Sequence, residues 1–89
     1  MDVVKFALAV MTYAMRTQAS VTSWGRTPRR QAELDPSVKF SPHVYWVGAD
    51  VVYDGGQAYD YEEIAVRLGL KLIHEADHDH LQPLEWKAG

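Results

Sequence analysis

The sequence predicts a small α+β fold, an antiparallel sheet flanked by short helices. Three observations predict it. Apolar residues recur at helical spacing near the N-terminus. Further on, β-branched and aromatic runs read as strands. Between them lie turn residues, so the elements alternate helix, strand, helix, strand, helix, strand. The 89 residues are expected to form a single compact domain, residues 1–89. A chain of this length buries only about 60% of its unfolded surface, so a bound metal or a partner would add needed stability.

The first element is a helix over Val3–Met15. Val3, Phe6, Ala7, Val10, Met11 and Ala14 form its expected buried face, with Lys5, Thr12 and Arg16 toward solvent. The run is too short to span a membrane, and it lacks the flanking charge and cleavage site of a signal peptide. Ser20–Trp24 follows as a strand. Thr27 is placed to cap a helix that has Pro28 at its first position and continues through Arg29–Leu34. Asp35-Pro36-Ser37 and Ser41-Pro42 bracket a loop. Val44–Tyr53 is the clearest strand, with Gly48 a candidate bulge. Asp54-Gly55-Gly56 is a turn, Tyr59–Leu68 an amphipathic helix, and Gly69 its C-terminal stop. Lys71–Ile73 opens a last strand that is expected to run on into a histidine-rich segment.

Composition excludes several function classes. The 47% apolar and 24% charged fractions are those of a folded protein. A net charge of −3 argues against a nucleic-acid-binding module. The absence of cysteine removes disulfides, zinc fingers, thiol catalysis and iron–sulfur clusters together. Any metal site must therefore draw on His, Asp and Glu.

Those residues concentrate in two places. One is Ser41-Pro42-His43 with Asp50 seven residues on. The other is His74-Glu75-Ala76-Asp77-His78-Asp79-His80, where three of the chain's four histidines sit among three carboxylates. His and carboxylate bind Zn²⁺ where no Cys is present, and a catalytic zinc keeps one position for water. A nearby carboxylate would take the proton of that water.

The order of three motifs sharpens this reading. Ser23-Trp24-Gly25-Arg26, then Ser41-Pro42-His43-(six residues)-Asp50, then Asp77-His78-Asp79-His80 resembles the zinc D-alanyl-D-alanine peptidase family. That family has the hedgehog/DD-peptidase fold, cleaves the peptide part of peptidoglycan, and includes bacterial carboxypeptidases and phage endolysins. The resemblance runs from about Ser20 to Trp86. It implies His43, Asp50 and His80 as zinc ligands and Asp77 as the general base for the zinc-activated water. It also implies that Arg26 stabilises the oxyanion, a role suited to a permanently charged guanidinium. By analogy with related His-x-His hydrolases, His78 lines the site. Glu75 with His78 is the alternative register, because Glu75 also lies three residues before a His. In a continuous strand Asp77 would face away from His80, so a base at Asp77 requires a bend before His80.

The chain departs from the family at Trp46, where the usual pattern has Gly. It is also shorter than most catalytic domains of the family. A minimal or degenerate member is therefore the second expectation: a non-catalytic metal-binding protein of a phage particle. The expected partner is a peptidoglycan peptide, with no nucleic acid and no membrane insertion, and the chain is expected to act as a monomer. Host cytoplasm before release, then periplasm or cell wall, or carriage in a virion, is the location the resemblance implies. Zinc is the expected metal; the ligand types would also accept Mn²⁺ or Co²⁺. Trp24, Tyr45, Trp46, Tyr53 and Trp86 read mostly as packing residues, and Arg29, Arg30 and Lys39 as a solvated basic patch.

Overall fold

The computed structural model describes residues 1–25, 29, 33, 34 and 46–86. Its elements are α1 (Val3–Thr17), β1 (Ala19–Ser23), β2 (Ala49–Tyr53), α2 (Tyr61–Arg67), β3 (Leu70–His74) and β4 (Asp79–Pro83). The architecture is α+β. One four-stranded sheet runs β1-β2-β4-β3, and each neighbouring pair is antiparallel. Arg29, Glu33 and Leu34, in the segment expected to be helical, are helical. Its capping pair, Thr27 and Pro28, lies outside the described residues, as do the two proline loops.

The core explains the layering. Phe6, Val10 and Tyr13 of α1 are buried against Ala49 and Val51 of β2, Leu81 of β4, Leu70 of β3 and Ala65 of α2. Both helices thus cover one face of the sheet. Val51, Asp79 and His74 lie side by side across β2, β4 and β3 on this helix-covered face. Asp50, His80 and Ile73 form the next row and point to the opposite face, because alternate residues of a strand change sides. No helix among the described residues is long and apolar enough to cross a membrane.

Several boundaries differ from the expectation, each for a local reason. Helix α1 continues to Thr17 and ends at Gln18, which takes a left-handed φ of 54°. Its buried face is rotated from the expected one. Ala9, Tyr13 and Thr17 are buried, whereas Val3 and Met11 are about half exposed. The phenol of Tyr13 reaches a partner across the core, and the Thr17 hydroxyl donates to the Tyr13 carbonyl at 2.8 Å, so these polar side chains can be interior.

The β2 strand begins at Ala49, not Val44. Trp46 is in a turn with φ 62°, and Gly48 precedes the strand without forming a bulge in it. The irregularity is on β1, between Val21 and Ser23, beside Asp50. Helix α2 is shorter than expected, because Asp60 caps it by accepting from the Glu63 amide. Gly69 ends it with φ 77°, a conformation that glycine adopts without steric penalty.

The last strand is in fact two. Residues 75–78 form a turn closed by the Glu75 amide donating to the His78 carbonyl at 2.9 Å, and β4 then returns along β3.

Candidate functional site

The site is built on the two central strands. Asp50 of β2 and His80 of β4 are direct cross-strand partners on the face away from the helices. Both are buried. The carboxylate oxygen Oδ1 of Asp50 lies 3.1 Å from Nδ1 of His80. Nε2 of His78 is 3.7 Å from the same oxygen, so two imidazoles converge on one carboxylate. The β1 bulge holds this point from the other side, as Thr22 donates its hydroxyl to the Asp50 carbonyl at 3.3 Å.

Gln82 completes the surroundings of His80. Its Oε1 lies 2.9 Å from Nε2 of His80. His80 therefore stands between two oxygen acceptors, the carboxylate on Nδ1 and the amide carbonyl on Nε2. A neutral imidazole carries only one N–H and can satisfy only one of them. In the tautomer that donates Nε2–H to the amide, Nδ1 presents its lone pair toward the Asp50 carboxylate 3.1 Å away; in the other tautomer, Nδ1–H donates to that carboxylate. This is also how a metal-ligating histidine is commonly held, with its second nitrogen donating to a carbonyl or carboxylate. Ligand atoms about 2.0–2.2 Å from a tetrahedral zinc sit roughly 3.3–3.6 Å apart. Asp50 and His80 are of the donor types such a metal takes, and in this structure they stand at hydrogen-bond distance. Among the described residues no group of three metal-ligating side chains is assembled. His43 and Arg26, the expected third ligand and oxyanion group, lie outside the described residues.

Asp77 and His78 occupy the turn before β4. Asp77 is 89% exposed, and its Oδ1 is 2.6 Å from Nδ1 of His78. That hydrogen bond holds the His78 pKa above the ordinary imidazole value; partial burial opposes it and the Asp50 charge adds to it. The chain Asp77–His78–Asp50 thus links the exposed turn to the buried pair. The bend that a base at Asp77 requires is present as the 75–78 turn. Glu75, of the alternative register, joins Asp77, His78, Asp79 and Tyr53 around a cavity of about 310 Å³.

Asp79 belongs to the other face and had not been expected to matter. Its Oδ2 accepts the Tyr53 hydroxyl at 2.6 Å, and its Oδ1 lies 2.8 Å from Nδ1 of His74. The Tyr53 hydroxyl in turn meets that of Tyr13 on α1 at 2.6 Å. Burial pushes the Tyr13 phenol up to about 12, and burial with the Asp79 hydrogen bond pushes Tyr53 above the ordinary phenol range. Both phenols therefore remain protonated donors at neutral pH. Gln82 and Asp79 were both missed. The signal for Gln82 was available, since it lies two residues after His80 and a strand puts it on the same face. Nothing in the sequence pointed to the Tyr13–Tyr53 pairing, which joins residues 40 apart.

Trp46 takes the left-handed φ that glycine favours, at the one position where the resembled motif has glycine. The Trp24 indole N–H donates to the Trp46 carbonyl at 3.1 Å, and the Trp46 ring lies so close over Gly25 that a Cβ there would collide with it. No family model, curated protein or solved structure matches this chain.

Proposed function

We propose that this protein is a zinc-dependent peptidase of the hedgehog/DD-peptidase type that hydrolyses an amide bond in the peptide part of peptidoglycan. The observation that carries the reading is His80 held between the Asp50 carboxylate and the Gln82 carbonyl, with His78 at the same carboxylate. The glycine-like backbone of Trp46, where the family motif has glycine, supports it further. His43, Asp50 and His80 would hold the metal. Zinc bound there would lower the pKa of water and polarise the amide carbonyl.

The remaining work falls to the chain itself. Asp77 accepts the proton of the attacking water and fixes the His78 ring through their hydrogen bond. His78 lines the approach to Asp50. Arg26 meets the negative charge that develops on the carbonyl oxygen. Gln82 fixes the ring orientation of His80 and so keeps one nitrogen aimed at Asp50.

A second reading is a non-catalytic, metal-binding protein of a phage particle with the same fold. The exposure of Asp77, and its engagement with His78 in place of the Asp50–His80 pair, favours it. One experiment separates the two. Zinc-loaded protein is incubated with purified peptidoglycan, and released peptides or D-alanine are quantified beside an Asp77→Asn variant. The peptidase reading expects release by the native chain and its loss in Asp77→Asn, with zinc content unchanged. No release from any wall chemotype, with zinc bound, would leave the second reading standing.

A further inference from the structure

Helix α1 carries a second apolar stripe that is exposed among the described residues. Phe6, Val10, Tyr13 and Thr17 are buried in the core. On the opposite side Val4 is 70% exposed, Leu8 57%, Met11 49% and Met15 82%. Their spacing is four, three and four residues, that of a seam between two packed helices. Scattered exposed apolar residues need no explanation, but a regular stripe along one helix is a different matter.

We propose that this stripe is the interface of a homodimer, in which α1 packs antiparallel against α1 of a second copy. The spacing is self-complementary in that orientation. Val4 would face Met15 of the partner subunit, and Leu8 would face Met11 of the partner subunit. The same two pairs repeat across the two-fold axis, as an isologous interface requires. The flanking Ala7 and Ala14 are small enough to let the backbones approach.

Area favours the same occupant. A fully exposed side chain of this kind offers roughly 150–200 Å², so the four residues present about 450 Å² per chain. Two copies with their flanking residues would bury on the order of 1,000 Å², near the lower bound for a specific interface. A lipid surface fits less well. Helices that lie on anionic membranes are rich in Lys and Arg beside the apolar face, whereas this stripe is flanked by Lys5, Thr12 and two alanines in a chain of net charge −3. This proposal departs from the expectation of a monomer.

The test is sedimentation velocity on the untagged chain from micromolar to submillimolar concentration, beside the double variant Leu8→Glu/Met11→Glu. Both residues are remote from the Asp50–His80 site, and circular dichroism checks that the variant is folded. The dimer predicts a mass that doubles from 10.1 kDa with concentration in the native chain, and a variant that stays at the monomer mass. Because the chain has no cysteine, orientation can be read separately by oxidative cross-linking. Val4→Cys mixed with Met15→Cys should form a mixed disulfide, and Val4→Cys alone should not. A native chain that remains monomeric at every concentration overturns the proposal. So does a dimer that persists in the double variant, or cross-linking of Val4→Cys with itself.

Discussion

The two faces of the sheet carry the same pair of side chains and treat them in opposite ways. On the helix-covered face, Asp79 meets His74 across β4 and β3, and the Tyr53 hydroxyl takes the other carboxylate oxygen. Every acceptor there has a donor, and the phenols tie the cluster to α1. On the other face, Asp50 meets His80 across β2 and β4, but His80 has an acceptor on each nitrogen, and a second imidazole approaches Asp50. An aspartate–histidine pair is a structural link when phenols complete it. Where oxygens flank the histidine instead, as at His80, we propose that the pair serves a cation. Neighbours, not the pair itself, decide which role each has.

The contrast breaks most sharply at Asp79. Replacing Asp79 with Ala strands the Tyr53 hydroxyl and its Tyr13 partner in the core, and should lower stability by about 3 kcal/mol in urea unfolding of the metal-free chain. Asp50→Ala removes one of two facing acceptors, and should cost about 1 kcal/mol or less in the same measurement. Equal losses from the two would end the distinction between the faces. Tyr53→Phe removes one donor from Asp79 but leaves His74 in place, so a loss of about 1 kcal/mol is expected, without change in zinc binding.

The smallest effect is a pH dependence. His74 is exposed, and the Asp79 hydrogen bond, with the Asp79 charge and the Glu62 carboxylate 3.9 Å away, raises its pKa above the ordinary value of 6.5. A raised folded pKa means the histidine stabilises the fold fully below its unfolded pKa and loses that contribution as pH rises through the folded one. Native and His74→Gln unfolding curves should therefore differ most at about pH 5–6 and converge at alkaline pH. A difference that grows with pH would contradict the assignment.

Much of this was legible in the residues. The α+β class followed from alternating apolar periods. α2 and its stop were framed by Asp60 and Gly69, whose roles are local. The His–Asp concentration marked both halves of the site, because few solvated surfaces need three histidines in seven residues. What escaped the sequence was long-range. The rotated face of α1 depends on Tyr13 finding Tyr53 across 40 residues. The division of the last segment into β3 and β4 depends on a turn at 75–78 that contains neither glycine nor proline. That same turn takes Asp77 out of strand register with His80 and leaves Asp79 on the helix-covered face.

The most direct test of the proposed metal site is zinc titration by calorimetry on untagged, chelator-stripped protein, with Asp50→Ala, His80→Ala and Asp79→Asn run beside the native chain. The account predicts about one zinc per chain for the native protein and for Asp79→Asn, and none for the two variants of the other face. No stoichiometric zinc in the native chain, or zinc retained when both Asp50 and His80 are replaced in turn, would contradict it.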